Sequence, residues 1–501
     1  MKQLAFIVFL LTTLGSSAQK YDYRWIMGFR QLGNFNILFT DTSADTISTG
    51  WEADMLNSQT TVSDSTGNLL FYSNGAHVYN RLDSIMLNGD SINYGLWWDQ
   101  DVGADDGGGY YWLEDIVGLP TDLPNIWNVI HCYVEFNTNS DLLLYPWRID
   151  ETRVDMNGDS GLGEVVFKNK TIIQDTLGSY VTACKHANGR DWWVLASKTS
   201  TNCLYELLIQ PDTVIQYPMQ CLGSMYHGGD AGQAAFSPDG TRFAWVGTPG
   251  EVNMYDFDRC SGTLSNAVHL PIYPDYVDSG YLQYGLAFSP NSRFMYIAQT
   301  GYILQFDLQS TDIMNSVDTV GRYYRSHDSL SLPGTFFLMQ LAPDGKIYVS
   351  ATNGIKYLHV INNPDQKGDS CNFVNYGFPL PHSNSFGLPS FPNYRLGRLI
   401  GSECDTIYSD IRHQTPDERQ LKIFPNPAKD YTIIDYGYTD WSRGGVSMEI
   451  INELGQMVHS QQLPMYSGFQ KMDVSQYTGG TYMVYIKRAN EIVATDKFIK
   501  Q

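Results

Sequence analysis

Apolar and polar residues alternate along the middle of the chain in short runs, and each pair of runs is joined by a turn sequence. Three segments show this most clearly: Ala234–Gly247, Leu286–Gln299 and Met339–Thr352. In the first of them Pro238 occupies the position at which its fixed φ suits a type I turn, and Gly240 the position that tends towards positive φ. Each segment therefore predicts two antiparallel strands joined by a tight turn.

Weaker copies of the pattern lie upstream, in Thr61–Ser73, Tyr133–Trp147 and Val181–Ala196. The turn positions are then 67, 140, 189, 240, 292 and 345, and the last four steps are 49 to 53 residues long. A period of about 50 residues with strands only is typical of one four-stranded propeller blade per repeat. The prediction is an all-β fold, a β-propeller of seven blades, with six and eight left open. A helical solenoid is the competing architecture, but no long amphipathic helix pattern separates the turns.

The ends of the repeat region are expected to close the ring together. The candidate runs are Arg24–Phe39 and Leu388–Ile400. A ring closed by both ends leaves no open sheet edge to invite aggregation. The first step of the repeat is about 20 residues too long for the period, and we assign the excess to a Gly-rich, aromatic insert at Trp97–Trp112.

The N-terminus has the pattern of a secretory signal peptide, residues 1–18. Lys2 precedes an apolar run, Leu4–Leu14, and Ser16-Ser17-Ala18 supplies a small-residue cleavage site. A transmembrane helix needs about 20 apolar residues, which this run does not reach. Cleavage is expected after Ala18.

The C-terminal part forms a separate unit. Residues 406–420 are polar and unpatterned and are interpreted as a linker after a propeller of residues 19–405. Residues 421–501 predict a small β-sandwich, because alternating runs recur between turn residues. The clearest runs are Tyr431–Tyr436, Val446–Ile451 and Thr481–Lys487.

Both units resemble known families. The motifs SDSTGNLLFYSNG, KHANGRDWW, FSPDG, LAPDGKIYV and GLPSFPNY, spread over residues 24–405, resemble secreted bacterial propellers with WD40-like (PD40-type) repeats. The motifs KIFPNPA, ELGQMV and GGTYMVYIK resemble the type A C-terminal sorting domain of type IX secretion cargo. The residues that carry this second match are Pro425, Asn426, Pro427, Gly455, Gly479 and Gly480.

The second resemblance implies a partner and a location. The partner is the type IX translocon of the outer membrane, reached through the periplasm. The protein is then expected outside the cell or on its outer surface, with the tag removed and the remainder either released or attached to lipopolysaccharide. An immunoglobulin-like adhesion module is the alternative interpretation of the C-terminal unit.

Charge and cysteine content narrow the picture. The net charge of −21 and the pI of about 4.7 argue against binding to nucleic acid or to an anionic membrane surface. Seven Cys in an exported chain permit disulfides and leave at least one thiol over. Cys203 and Cys221, close in sequence with a strand-like run between them, are the first candidate pair.

No motif of a known catalytic class is present, so no catalytic residue, cofactor or metal is assigned. His186 and His227 sit beside turns, where His often caps a loop. Calcium is the one cation that the sequence leaves open. The run Asp155–Asp159 has oxygen ligands at alternate positions but lacks the Gly and Glu of a calcium loop, and Asp101, Asp105 and Asp106 form an acidic cluster.

The candidate binding residues are the aromatic side chains of the insert: Trp97, Trp98, Tyr110, Tyr111 and Trp112. Exposed, they would form a stacking platform for a sugar or a peptide; buried, they would cover an open face of the ring. The leading functional hypothesis is a non-enzymatic binding protein on the surface or outside the cell. A secreted enzyme that degrades polysaccharide or peptide at the central channel, and a structural component of the extracellular surface, stay open as alternatives.

Overall fold

The structure, a computed structural model, describes residues 19–95, 98–99, 108–110, 115–136, 144–178, 180–226, 232–247, 251–272, 283–324, 335–384, 386–405, 421–435, 446–463, 469–488 and 491–501. The chain divides into two compact units, residues 1–406 and 407–501. The signal peptide and the linker predicted at 406–420 lie outside the described residues.

The described residues of the first unit form seven antiparallel sheets in chain order. The first two sheets contain β1 (Arg24–Phe29), β2 (Gly33–Phe39) and β3 (Ala44–Thr49), then β4 (Thr60–Ser63), β5 (Leu69–Ser73) and β6 (Val78–Asn80). The third contains β7 (Ile116–Pro120), β8 (Ile126–Phe136), β9 (Leu144–Asp155) and β10 (Glu164–Gln174). The fourth contains β11 (Thr182–Lys185), β12 (Trp192–Ser197), β13 (Thr201–Ile209), β14 (Val214–Gln216) and β15 (Gln220–Tyr226).

The remaining three sheets have four strands each. They are β16 (Gly232–Phe236), β17 (Arg242–Gly247), β18 (Glu251–Phe257) and β19 (Leu264–Pro271), then β20 (Gln283–Phe288), β21 (Phe294–Gln299), β22 (Tyr302–Asp307) and β23 (Asp318–Arg322), and last β24 (Phe336–Leu341), β25 (Ile347–Ala351), β26 (Tyr357–Ile361) and β27 (Phe373–Pro379). Three short 3₁₀ helices also occur among the described residues, at Asp159–Gly161, Met314–Ser316 and Gly368–Cys371.

Local turn chemistry explains why the repeat folds into hairpins. In the turn between β16 and β17, Gly240 has a φ of 71°, which a residue with a Cβ adopts only at a cost. The Asp239 carboxylate accepts hydrogen bonds from the Thr241 amide at 3.0 Å and the Ser237 hydroxyl at 2.6 Å. The side chain therefore fixes the turn that reverses the chain.

The seven sheets form a closed ring, because each shares a buried apolar core with the next. Separate cores join the first sheet to the second, the fourth to the fifth, the fifth to the sixth and the sixth to the seventh, and one core spans the second, third and fourth. A further core joins the seventh sheet back to the first, where the rings of Trp25 and Tyr348 meet edge to face at 5.8 Å. Four of the seven sheets have four strands, the first two have three and the fourth has five. A closed ring of such small antiparallel sheets is the β-propeller architecture.

The two ends of the repeat region meet beside the first and second sheets. The run Arg24–Phe39 supplies β1 and β2, as predicted, whereas the run 388–400 forms no strand. It nevertheless lies beside the innermost strand of the second sheet, since the Ser390 amide donates to the Gln59 carbonyl at 3.0 Å. Pro389 and Pro392 lack the N–H that a strand ladder requires. The run therefore packs beside the inner strands but does not form a strand itself.

One expected turn belongs to a different hairpin. The sequence places a turn near Ser140 in register with the others, and residues 137–143 lie outside the described residues. The described strands on either side of them, β8 and β9, are the second and third strands of their sheet, not the first and second. The corresponding first turn is 121–125, where Asn125 has a φ of 65°. Residues 121–125 do not have the Ser-Pro-Asp-Gly turn sequence of residues 237–240. The long strands β8 and β9, on either side of 137–143, show the same alternation of apolar and polar residues as a first hairpin, so the sequence pattern placed the turn there.

The cysteines divide into two disulfides and three buried thiols. Cys203 is bonded to Cys221, the pair expected from the sequence, and Cys260 is bonded to Cys404 across 144 residues. Cys132, Cys184 and Cys371 are free and buried. The longer link fastens the C-terminal end of the propeller to the fifth sheet.

The second unit is a small β-sandwich. One sheet has the order β28 (Lys422–Phe424), β29 (Tyr431–Asp435), β32 (Phe469–Asp473), and the other β31 (Met457–Gln462), β30 (Val446–Asn452), β33 (Gly480–Arg488), β34 (Glu491–Lys500). Buried side chains of both sheets, among them Ile434, Met472, Ile450 and Val484, make one shared core. Over the residues that the structure describes, no helix of either unit has the length and apolar character to cross a membrane.

Candidate functional site

A cavity of about 280 Å³ lies at the centre of the ring. Its walls come from the innermost strands of five sheets, represented by Val117, Thr182, Ala235, Leu286 and Met339. Residues 386–405, which we call the closing segment, supply a further wall through residues 390–393 and 395. The cavity therefore occupies the central channel of the propeller.

The innermost strands turn an open edge towards this channel, because each has a hydrogen-bonded partner on one side only. The amides of Ser237 and Ser289 donate to the second strands of their own sheets, at 2.9 and 2.8 Å. Since backbone groups alternate in direction along an edge strand, those of Phe236 and Phe288, one residue earlier, point into the channel. The cavity thus combines apolar side chains with backbone donors and acceptors.

Gln233 connects three of these edges. Its side-chain oxygen accepts from the amides of Leu286 at 2.8 Å and Met339 at 3.0 Å, and its side-chain amide donates to the Met339 carbonyl at 2.7 Å. Backbone groups that the propeller geometry leaves outside the sheet ladders are satisfied in this way. Gln233 therefore holds the fifth, sixth and seventh sheets together beside the cavity.

The charged groups on the cavity wall are Asp22 and Arg395. Two nitrogens of the guanidinium donate to the two carboxylate oxygens at 3.0 and 2.6 Å, which is a bidentate pair. The side chain of Asp22 is 6% exposed and that of Arg395 31%. Burial raises the pKa of Asp22, and the charge and hydrogen bonds of Arg395 oppose that rise.

The Asp22–Arg395 pair connects two parts of the propeller that are not joined by a turn of the chain. In the other sheets the first and second strands are joined by turns such as the one at Gly240. The closing segment and β1, whose Phe391 and Trp25 rings lie 6.0 Å apart, come from opposite ends of the propeller sequence. Asp22 precedes β1 and Arg395 follows the inner run of the closing segment. The ion pair therefore links the two ends at the cavity.

The closing segment is fastened across this end of the ring by further contacts. The Asn393 side chain donates to the Pro238 carbonyl at 2.7 Å and the Tyr394 hydroxyl to the Gly118 carbonyl at 2.7 Å. Its last part carries Cys404, bonded to Cys260. The segment therefore joins the third and fifth sheets to the first at the channel.

The aromatic insert lies away from this cavity where it is described. Tyr110 is fully buried, and its hydroxyl accepts from the Val134 amide at 2.8 Å. Trp98 is partly buried, with its ring 5.9 Å from His77 and 5.5 Å from Tyr94. Tyr110 is therefore a buried residue that packs with Ala76 and Val134.

The other predicted aromatic residues, Trp97, Tyr111 and Trp112, lie outside the described residues. Nothing in the described part tests a stacking role for them, and their role in binding stays a prediction.

The candidate polar positions have local partners. The two ring nitrogens of His186 lie 3.0 Å from the Cys260 carbonyl and 3.0 Å from the Asn188 amide. The Asp155 carboxylate accepts from the Asn157 amide at 2.8 Å, as in an Asx turn.

His227, Asp101, Asp105 and Asp106 lie outside the described residues. In the described part of the chain, no three His, Cys, Asp or Glu side chains cluster as metal ligands would. Calcium binding stays an untested prediction.

Sequence reasoning missed Asp22, Gln233 and Arg395. Asp22 and Arg395 are separated by 373 residues, and only closure of the ring brings them together. Gln233 had a weak signal, since it is a polar residue near the start of the apolar inner strand of a clear repeat.

The predicted sorting-motif residues have identifiable positions in the sandwich. The Asn426 side chain, between Pro425 and Pro427, donates to the Lys497 carbonyl at 3.0 Å and accepts from the Ile499 amide at 2.9 Å. It therefore clamps the last strand of the chain.

Glycines of the same motifs sit at turns. Gly455 ends the turn before β31 with a φ of 75°. Gly479 and Gly480 lead into β33, where the Thr481 amide donates to the Glu453 carboxylate at 2.6 Å. These glycines therefore lie where the chain enters β31 and β33, two strands of the larger sheet.

Comparison with known proteins identifies the second unit. Residues 422–501 match the family described as the secretion system C-terminal sorting domain. A search of the curated proteins finds no match.

Three solved structures illustrate the structural similarity. A protein from Lactobacillus plantarum has a TM-score of 0.36 and 11% identity over 90% of this chain and 100% of its own. A putative 6-phosphogluconolactonase from Bacteroides uniformis has a TM-score of 0.35 and 13% identity over 90% of this chain and 99% of its own. The β-propeller domain of Cps50 (Swd1) from Myceliophteria thermophila has a TM-score of 0.29 and 13% identity over 66% and 86%. At these scores the similarities carry no inference about function.

The chain therefore combines a β-propeller with a type IX sorting domain. A protein with this domain is exported to the cell surface or beyond, and the secretion system recognises it through residues 422–501.

Proposed function

We propose that the propeller is a non-enzymatic binding module that works outside the cell and takes a small ligand into its central channel. The observation that carries the proposal is the 280 Å³ cavity on the propeller axis. Its size is close to the lower limit of pockets that bind small molecules.

The chemistry of the wall supports binding. Phe236, Leu286, Met339 and Phe391 offer apolar contact, and the inner-strand edges add hydrogen-bonding groups that give orientation. The carboxylate that lines the cavity in the described structure, Asp22, is held by Arg395. A pair of free carboxylates, as a glycosidase uses, is not among the described lining residues.

The test is a binding screen of the full mature chain against four classes of small molecule: monosaccharides, amino acids and dipeptides, nucleosides, and short fatty acids. Ligand-observed NMR detects binding, and thermal melting confirms it. The expected result is saturable binding by members of one class.

A variant with a blocked cavity shows where binding occurs. Gln340 is half-buried and lines the cavity, so Gln340→Trp fills space there without opening the core. Its matched control is Gln309→Trp, on the exposed turn after β22. Binding lost in the first variant and kept in the second supports the channel site.

Two results would reject the proposal. Binding by no class at millimolar concentration would leave the channel without a ligand function. A product detected by mass spectrometry in the same incubations, and lost in Gln340→Trp, would make the protein an enzyme.

A further inference from the structure

The cavity contains a charged group of each sign and no net charge. Asp22 and Arg395 form one ion pair, and the other lining side chains are neutral. Arg395 is the more accessible member of the pair, with about a third of its side chain exposed, whereas Asp22 reaches the cavity with 6% of its side chain exposed. Two guanidinium nitrogens of Arg395 contact Asp22, and the group also hydrogen-bonds to the Tyr23 side chain. Since a guanidinium has five N–H donors in all, donors remain for a further acceptor.

Charge balance restricts the ligand. An anion placed against this pair would bring an uncompensated negative charge into a partly desolvated site, and a cation would bring a positive one. A zwitterion adds no net charge. Its carboxylate can accept from the remaining guanidinium donors, while its ammonium group donates to the second lone pairs of the two Asp22 oxygens.

The rest of the wall fits the remaining parts of such a molecule. The apolar side chains suit an apolar body, and the backbone edges at Phe236 and Phe288 suit amide groups. A volume of about 280 Å³ admits a molecule smaller than a typical drug.

We infer that the channel binds a small zwitterion with an apolar body, an apolar amino acid or a short apolar peptide, with its charged ends on Arg395 and Asp22. The inference rests on the proposed binding function and names the ligand class of the same cavity.

The probes are four molecules with one body and different charges: L-phenylalanine, its N-acetyl derivative (anion), its amide (cation) and phenylethanol (neutral). Titration calorimetry on the full mature chain measures each. We expect L-phenylalanine to bind at least about tenfold more tightly than either singly charged analogue, a difference of about 1.4 kcal/mol.

The variant Asp22→Asn should change which of the four probes binds best. A loss of stability alone would weaken the binding of all four probes and would not reverse their order. With the carboxylate neutralised, Arg395 is left with an unbalanced positive charge. The variant should therefore bind N-acetyl-L-phenylalanine better than the wild type does, and L-phenylalanine worse. Gln340→Trp, which keeps both charged residues, should weaken all four probes, and Gln309→Trp none.

The outcomes separate the two claims. If all four probes bind equally and Gln340→Trp removes them, the channel is a binding site but the zwitterion inference is wrong. If the anion binds best to the wild type, the inference is wrong in the same way. If no probe binds and the wider screen is also empty, the proposed function itself fails.

Discussion

Replacing Asp22 by Asn should loosen the propeller at the place where its two ends meet. The carboxylate accepts two charge-assisted hydrogen bonds, at 2.6 and 3.0 Å, and its side chain is 6% exposed. Removing one partner of a fully buried pair costs about 3–5 kcal/mol, because the other charge is left without compensation. Here water reaches about a third of the guanidinium, so we expect about 2–3 kcal/mol.

The melting temperature translates that energy into a measurable shift. A unit of about 390 residues has an unfolding entropy of about 0.8 kcal/mol/K, so the loss corresponds to a decrease of about 3 °C in the propeller transition. Differential scanning calorimetry of the full mature chain measures it. The matched control is Asp90→Asn, whose carboxylate is 58% exposed and lies 2.9 Å from Lys168. That exposed pair should contribute less than about 1 kcal/mol, a shift near 1 °C or below.

A double-mutant cycle with Arg395→Gln isolates the pair itself. We expect a coupling energy above about 1 kcal/mol between the two substitutions. The reasoning is wrong if Asp22→Asn melts with the control, or if the two effects simply add. Either result would mean that apolar packing alone closes the ring and that the ion pair is incidental.

Three further predictions concern other parts of the propeller. Replacing Cys260 and Cys404 by Ser should lower the stability of the oxidised protein by about 4 kcal/mol, since their link closes a loop of 144 residues. Because reduction also breaks Cys203–Cys221, the wild type and the variant should melt together only when both are reduced, and equal melting of the oxidised forms would contradict the prediction. Burial raises the pKa of Glu206 to about 7, so its carboxyl group destabilises the fold as pH rises from about 4.5 to about 7. Glu206→Gln should therefore match the wild type in melting temperature at pH 4.5 and exceed it at pH 8, by up to about 3 kcal/mol in stability; a difference that does not change with pH would refute it. Tyr110→Ala should lower the free energy of unfolding by about 3–5 kcal/mol because the ring is fully buried. Tyr110→Phe should lower it by about 1–2 kcal/mol because the Val134 amide loses its acceptor. An unchanged melting temperature in both variants would show that this ring is not part of the core.

Local chemistry made much of the architecture readable in advance. Gly240 has the positive φ that its turn sequence indicated, and Gly67, Gly189 and Gly345 share it, because few residues other than glycine tolerate that conformation. The strands beside Ser140, β8 and β9, were assigned as the first hairpin of their sheet because apolar and polar residues alternate along them as they do in the first hairpins of the other sheets. Periodicity identifies strands, but it does not say which strand of a sheet each one is.

What the sequence by itself determined is the part governed by neighbours along the chain: strands, turns, the sorting domain and the export that it directs. The Cys203–Cys221 disulfide belongs to the same class, since 18 residues separate its ends. The tertiary structure alone decided the rest. Arg395 meets Asp22 across 373 residues, and Gln233 meets Met339 across 106, only because the ring closes. A cavity is the space left between strands from five sheets, and no single segment of sequence encodes it.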